Sequence, residues 1–264
     1  MASIWFLHRK GFPGRLGISA LLSLIVLTPL SGFSQGSDLG FETPVVGTSY
    51  QYNPGGAPWT FAGNSGITGN ASGFTGSNPN APEGSQVAFV QTTGNFSQPM
   101  TFAAASYKLV FSAAQRNYGS AWQTFNVTLD GVVLTNLAPI QGATSYQDYT
   151  VGPFPVTAGT HTLAFVGTDL NGGDNTIFID NLRFTQMTLS PAISPASFTA
   201  YHPFPVTITT WPTTASTYYR LNGGAWLTYT NPFTIGDGQN AAIVQVDSYA
   251  TDGVSFSQIG RAHV

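Results

Sequence analysis

The chain has 264 residues, of which only 7% are charged, and it contains no cysteine. Its eight Lys and Arg residues are too few to neutralise a row of phosphates, which argues against a nucleic-acid partner. Without cysteine there is no disulfide framework, no thiolate metal site and no cysteine nucleophile. A hydrophobic content of 42% still allows a packed core, so the low charge does not indicate disorder.

The first 34 residues have the pattern of a secretory signal peptide. A basic start at 8–15 precedes an uncharged apolar run at 16–30, and Gly32 and Ser34 are placed for cleavage. The run is shorter than the roughly 20 residues that span a bilayer, and an uncleaved anchor is the alternative. Cleavage after residue 34 removes three of the eight cations and none of the 11 acidic residues, which leaves a net charge of −6. We therefore expect a secreted or cell-surface protein that does not bind an anionic membrane after cleavage.

The rest of the chain consists of short alternating runs separated by Gly, Asn, Pro and Ser clusters, with no long helical period. Apolar side chains alternate through 107–113, 125–129, 163–165 and 177–179. Turn signals such as Asp130-Gly131 and Asn222-Gly223 separate the runs. This pattern predicts an all-β protein built from β-sandwiches or jelly rolls.

A domain boundary is predicted near residue 189. A strand over 174–186 ends before it, and the segment 190–195 contains two prolines, which is typical of a stiff connector. The predicted first domain, 35–188, is long enough for one jelly roll. The predicted second domain, 189–258, has the size of a small Ig-like β-sandwich.

Six short motifs follow one another in the first domain. They are DLGFETP at 38–44, PWTF at 58–61, PEGSQVA at 82–88, FSAAQR at 111–116, AGTHTL at 158–163 and DNTIFIDNL at 174–182. This ordered series resembles a galactose-binding-like jelly roll over roughly residues 38–186, and it is most similar to carbohydrate-binding modules attached to glycanases and to cell-wall-associated domains. The resemblance implies a jelly-roll β-sandwich whose partner is a polysaccharide or a cell-surface glycan.

The same resemblance implies a structural calcium ion. Proteins of this fold often hold calcium between an acidic residue on the first strand and an aspartate on the last, and the matching positions are Glu42 and Asp180. Calcium takes 6–8 oxygen ligands and accepts main-chain carbonyls beside carboxylates. The alternative is that Glu42 and Asp180 accept hydrogen bonds from nearby backbone amides. The acidic stretch 169–175 is predicted to be a strand-connecting turn, because Asp174 stands where a helix–loop–helix calcium loop needs glycine.

The predicted ligand site is the segment 115–123. It holds Gln115, Arg116, Tyr118, Trp122 and Gln123. Sugar sites combine aromatic rings with planar hydrogen-bonding groups, so a guanidinium would donate to vicinal hydroxyls while a nearby ring stacks on the sugar.

Two points about this site stay open at the level of sequence. Tyr146 is a candidate for a second wall of the site, although its surroundings also suit an ordinary strand. The alternative for the main segment is that Arg116 pairs with a carboxylate such as Glu83 and that Trp122 packs in the core. Trp59, by contrast, precedes an apolar strand and is predicted to be a core residue.

Catalysis within this chain is not expected. Glycosidases need two carboxylates, one of them with a raised pKa. Glu42 and Glu83 are the only glutamates, and most aspartates lie in turn signals. A G-x-S-x-G sequence at 32–36 matches a serine-nucleophile pattern but lies at the predicted cleavage junction, with no strand before it and no helix after it.

Residues 190–258 resemble the small Ig-like β-sandwich of the chitobiase/β-hexosaminidase C-terminal type, which implies a spacer. Trp226 and Tyr229 are predicted to pack within a hairpin there. The last residues, 259–264, look like one reading frame of a common sequencing adapter. We therefore expect this sequence to be a fragment of a longer multidomain protein. Within that protein, we expect this part to be a monomeric module. The alternatives are a structural or adhesive protein without a small ligand, or a fragment of a glycoside hydrolase whose catalytic domain is missing.

Overall fold

The computed structural model describes residues 36–119, 122–171, 173–196, 203–236 and 244–263. The predicted signal peptide, residues 1–34, lies outside these ranges. All helical or extended elements assigned in these ranges are β-strands, which confirms the predicted all-β class. No helix of the described residues is long and apolar enough to cross a membrane.

The described residues form eighteen strands, numbered here in chain order. They are β1 (Tyr50–Tyr52), β2 (Thr60–Ala62), β3 (Ser65–Gly69), β4 (Gln86–Gln91), β5 (Asn95–Phe102), β6 (Ala105–Gln115), β7 (Phe125–Leu129), β8 (Val132–Leu137), β9 (Gln147–Val156), β10 (Gly159–Gly167), β11 (Thr176–Met187), β12 (Ser190–Ser194), β13 (Phe204–Trp211), β14 (Ser216–Leu221), β15 (Leu227–Thr228), β16 (Phe233–Ile235), β17 (Gln245–Thr251) and β18 (Gly260–His263).

The first eleven strands form a jelly-roll β-sandwich. One sheet has six strands in the order β1-β3-β4-β11-β6-β9, and the other has five in the order β2-β5-β10-β7-β8. All neighbouring strands are antiparallel, and the chain crosses repeatedly between the sheets. Asp130 and Gly131 both have positive φ and join β7 to β8, as the Asp-Gly turn signal predicts.

The core between the two sheets is rich in phenylalanine. Alternate side chains along the strands point inward, so Phe96, Phe111 and Phe165 meet at the centre with ring centroids 5.0–5.1 Å apart. The alternation predicted through 107–113 is confirmed, because its inward residues are fully or almost fully buried. Trp59 is also buried, as predicted, and its indole N–H donates to the Asp38 carbonyl at 2.9 Å.

A second apolar cluster lies on the outer face of the six-stranded sheet. It contains Phe74, Val87, Phe89 and Phe178, with Tyr146 packed against it. We call it the outer cluster. Phe74 belongs to the loop between β3 and β4, which folds back over the sheet and explains why β3 and β4 are buried on both faces. Phe74 of this loop also contacts Arg116, one of the predicted ligand-site residues.

The last seven strands form two smaller sheets, β12-β13-β16 and β15-β14-β17-β18. Val206, Ile235 and Val246 are buried between them. Trp226 contacts Tyr249 at 4.6 Å between ring centroids, in keeping with packing at the hairpin. The membership of this region in the chitobiase-type Ig-like family stays a prediction, as does the adapter origin of 259–264.

The prediction of a stiff connector at 190–195 is wrong. Residues Ser190–Ser194 form strand β12, which pairs along its whole length with β13. Only Thr188 and the buried Leu189 separate β12 from β11. The two parts of the chain also share a hydrogen bond, since the Ser106 hydroxyl donates to Asp252 at 2.7 Å.

Candidate functional site

Arg116 lies at the end of β6, where three loops of the jelly roll meet. Its Nη1 donates to both carboxylate oxygens of Asp174, at 2.7 and 2.5 Å, and its Nη2 donates to the Gly73 carbonyl at 3.1 Å. The guanidinium carbon also lies 4.0 Å from the Phe74 ring centroid and 4.9 Å from that of Tyr118. Arg116 therefore joins the β3–β4, β6–β7 and β10–β11 loops through charge and cation–π contact.

Arg116 pairs with a carboxylate, as the alternative interpretation of this residue predicts, but the partner is Asp174 and not Glu83. The side chain is only 9% exposed, and its Nε is buried without a hydrogen-bond partner. Because the guanidinium is enclosed, Arg116 positions the loops around it and does not itself present donors to a ligand.

Tyr118 and Trp122 are on the surface. Tyr118 is 62% exposed and Trp122 is 45% exposed, so the alternative that Trp122 packs in the core is wrong. The Trp122 indole N–H donates to the Pro139 carbonyl at 2.8 Å, which holds one edge of the ring while the remainder faces solvent. Both rings are available for contact with a ligand.

Gln115 and Gln123 lie behind this surface. Both are fully buried. The Gln115 amide donates to the Gln123 carbonyl and accepts from the Gln123 backbone N–H, while the Gln123 amide donates to the Thr92 carbonyl at 2.8 Å. Direct contact with a ligand would require these bonds to break, so we assign the two glutamines a supporting position.

Tyr146 is half-buried against the outer cluster instead of forming an open wall. Its hydroxyl is buried without a hydrogen-bond partner. Burial first, and then the charge of Asp180, raise the pKa of this phenol well above its usual value. Tyr146 therefore packs on the outer face of the six-stranded sheet.

Three further aromatic residues lie near Tyr118 and Arg116, and the sequence analysis did not identify them. Tyr50 and Tyr52 on β1 are 45% and 37% exposed, and both contact Phe74, with ring centroids 4.5 and 5.9 Å away. Phe74 is only 9% exposed, and both it and Tyr118 contact the Arg116 guanidinium, so the three exposed tyrosines are linked through one buried ring and one buried cation. We call Tyr50, Tyr52, Phe74 and Tyr118 the aromatic patch.

A chain of hydrogen bonds links the aromatic patch to Asp174. The Tyr52 hydroxyl donates to Gln91 at 2.8 Å, and the Gln91 amide donates to Asp174 at 2.7 Å. Burial, followed by the charge of Asp174, raises the pKa of Tyr52, so this phenol stays protonated. The Tyr-Gln-Tyr alternation of β1 was a signal for two rings on one face, but nothing nearby in sequence linked it to Arg116.

The predicted calcium ligands lie in a separate acidic cleft. Asp38, Glu42 and Glu83 line it. Glu42 accepts hydrogen bonds from the backbone of Ser85 and Gln86, both at 2.8 Å. Asp180 accepts from the backbone of Glu83 at 2.9 Å and is fully buried. Glu42 and Asp180 therefore accept hydrogen bonds from backbone amides, as the alternative interpretation predicts.

The acidic cleft carries unbalanced negative charge. Burial first, and then the charges of Glu83 and Glu42, raise the pKa of Asp180 to about 7. Burial also raises the pKa of Asp38. No salt bridge in the described part of the chain joins these carboxylates to a cation. The described residues contain no group of three or more His, Asp or Glu side chains arranged to hold a metal ion.

Comparison with known proteins gives structural likeness only. No protein-family model and no curated protein sequence matches the chain. Solved structures that resemble it include TmCBM61 in complex with β-1,4-galactotriose, which is 15% identical, covers 58% of this chain and 98% of its own, and has a TM-score of 0.41.

Two other similar structures differ in what they bind. A cyclase from Fischerella sp. TAU in complex with 4-(1H-indol-3-yl)butan-2-one is 18% identical, covers 59% of this chain and 97% of its own, and has a TM-score of 0.45. The carbohydrate-binding module CBM36 in complex with calcium and xylotriose is 15% identical, covers 48% and 98%, and has a TM-score of 0.32. At these values the similarity assigns this chain neither a ligand nor an activity.

Proposed function

We propose that this chain is an exported, non-catalytic carbohydrate-binding protein whose jelly roll holds a glycan against the aromatic patch. The observation that supports the proposal is the patch itself, in which Tyr50, Tyr52 and Tyr118 are all well exposed and are joined through Phe74 and Arg116. Clustered exposed rings of this kind mark interaction sites. Residues 189–258 would act as a spacer.

The chemistry of the patch suits sugars. Aromatic faces stack on the C–H faces of pyranose rings, while hydroxyl, amide and carboxylate groups bond the sugar hydroxyls. Tyr52, Gln91 and Asp174 supply those polar groups beside the rings. A shallow site of this type would bind with a Kd in the millimolar to micromolar range, or about 4–8 kcal/mol.

The state of Asp174 favours binding over catalysis. Asp174 is joined to Tyr52 of the patch through Gln91, and both of its oxygens accept from Arg116. Glycoside hydrolysis needs a proton donor and a second carboxylate, whereas the patch has Asp174 beside it, bound by Arg116 and Gln91.

We also propose that the acidic cleft binds a structural calcium ion. Its donor set fits calcium, since Glu42, Glu83 and Asp180 supply only oxygen atoms. Burial first, and then the charges of Glu83 and Glu42, raise the pKa of Asp180. Calcium would neutralise this charge and tie the segment before β1 to β11. Because the side chains do not surround one point, main-chain carbonyls and a change of side-chain rotamers would have to complete the coordination.

Affinity gel electrophoresis of the full chain over a panel of soluble polysaccharides tests the glycan proposal. Tyr118→Ala is expected to weaken retention about tenfold, since stacked rings supply most of the contact energy at such sites. Val133→Ser is the matched control, because Val133 is 52% exposed but lies on the other sheet. If Tyr118→Ala leaves retention unchanged, the aromatic patch is not the binding site. If no glycan retains the parent protein, the proposed glycan-binding function is contradicted.

A further inference from the structure

The charge of the aromatic patch is balanced within the protein. Arg116 is the cation that the patch residues contact, and Asp174 neutralises it through two short hydrogen bonds. Asp174 keeps 28% of its side chain exposed, whereas Arg116 keeps 9%. The group of this ion pair that a ligand meets is thus the carboxylate. A uronate or sulfate group placed here would face a like charge with no free cation among the patch residues, which opposes binding.

The rings of the aromatic patch are not coplanar. The exposed Tyr50 and Tyr52 rings are inclined by 85°, whereas the buried Phe74 ring is inclined by 34° to Tyr50 and by 86° to Tyr52. A flat crystalline polysaccharide surface needs several rings in one plane to stack on it at once. Rings set at right angles instead contact different sides of a single chain that can bend between them.

We infer that the aromatic patch binds a single, uncharged polysaccharide chain, and that it rejects both anionic polysaccharides and crystalline surfaces. This inference rests on the proposed glycan-binding function and adds the class of ligand to it. The Arg116–Asp174 ion pair excludes the anion, and the perpendicular rings of the exposed Tyr50 and Tyr52 exclude the flat surface.

The first test measures the full chain against three kinds of probe. Soluble β-1,4-galactan, arabinoxylan and mixed-linkage β-glucan are the neutral chains, polygalacturonate is the anionic chain, and microcrystalline cellulose is the flat surface. At least one neutral polymer is expected to retard the protein about tenfold more strongly than polygalacturonate, with little dependence on salt. Cellulose should leave the protein in the supernatant.

The outcomes of this test separate the inference from the proposed function. Strong retention by polygalacturonate or by cellulose, with none by the neutral chains, would overturn the inference while leaving a glycan-binding protein. Retention by none of the probes would count against the proposed function itself.

The second test removes the charge of Asp174 from its ion pair with Arg116. Asp174→Asn leaves the Arg116 charge unbalanced, so retention by polygalacturonate should rise about fivefold at low salt and return to the starting value at high salt. The matched control is Asp148→Asn on β9, at the opposite edge of the sheet from β1. It makes the same charge change by unpairing Arg183 of β11. An equal rise in both variants would show an effect of net charge only and would overturn the role given to Asp174.

Discussion

Asp130 shows how one exposed carboxylate can make stability depend on pH. Its oxygens accept from the Thr162 backbone N–H at 2.7 Å and contact the His161 ring at 2.6 Å. The Thr162 bond first, and then the His161 bond, lower the pKa of Asp130 below its ordinary value of 3.8. The stabilisation is therefore fully present above 3.8 and is lost as the pH falls through the lower folded value.

Asp130→Asn should accordingly lower the midpoint of thermal unfolding at pH 7. The gap between the variant and the parent should narrow as the pH falls below the ordinary value of 3.8, where the parent also loses the charged interaction. Differential scanning calorimetry at both ends of this range measures it. A gap of the same size at low pH would show that the carboxylate charge is not the cause.

At the residue scale, the exposure of the rings in segment 115–123 could be predicted from the sequence, but the contacts of Arg116 could not. Tyr118 and Trp122 stand on the surface, as residues of their type beside a loop suggest. The partner of Arg116 could not be read from the sequence, because Gly73 and Asp174 lie 43 and 58 positions away. Nothing local decides which of the acidic residues reaches a given cation.

The edge strand β1 depends on a glycine in its neighbour β3. Gly66 stands opposite Tyr52, and a Cβ added there would overlap the Gln51 carbonyl oxygen and lie 2.8 Å from the Phe89 ring. Gly66→Ala should therefore push β1 outward, cost about 1–3 kcal/mol of stability through overpacking, and weaken glycan retention by moving Tyr50 and Tyr52. Urea unfolding and affinity electrophoresis measure the two effects.

Gly55→Ala is the control for this substitution. Gly55 lies between β1 and β2, and an added Cβ there would meet no atom within 4 Å. Its stability should stay within about 0.5 kcal/mol of the parent. If Gly66→Ala behaves like Gly55→Ala, β1 is not held as closely against β3 as the structure indicates.

At the scale of elements, strand positions could be predicted where one face is buried. The alternation along β6, β7, β10 and β11 records burial directly, so these strands were placed well. β12 was not recognised, because its two-proline neighbourhood also suits a connector. β12 is an edge strand that pairs only with β13 among the described strands, and edge strands tolerate proline.

Calcium should stabilise the whole jelly roll, since the acidic cleft joins segments from its start, middle and end. Calcium at about 100 times its Kd should add about 2.7 kcal/mol to the free energy of unfolding. The melting temperature should thus rise with calcium and fall when a chelator removes it. Thermal unfolding with calcium, with magnesium and with chelator measures this.

Glu83→Gln should abolish most of the calcium-dependent rise in melting temperature, because it removes one of the three facing charges. Asp130→Asn is the control, because Asp130 binds Thr162 and His161 instead of the cleft. A melting temperature that calcium leaves unchanged in the parent protein would mean that Glu42 and Asp180 serve only the backbone amides.

At the scale of the molecule, the sequence supported two β-rich parts and the approximate boundary between their sheets. It could not show how the parts meet, because that contact depends on side chains such as Ser106 and Asp252, which are 146 positions apart. The aromatic patch was hidden for the same reason. Its rings come from β1 and from two loops that only the folded sandwich brings together.

The short passage from β11 to β12 has a mechanical consequence. A pulling force applied on the far side of Leu189 would enter the sandwich along the length of β11, which is bonded to β4 on one side and to β6 on the other. Antiparallel ladder bonds run across the strands, so such a load shears many of them simultaneously. A sandwich loaded through this strand would resist unfolding by force better than one whose ladder bonds break one at a time.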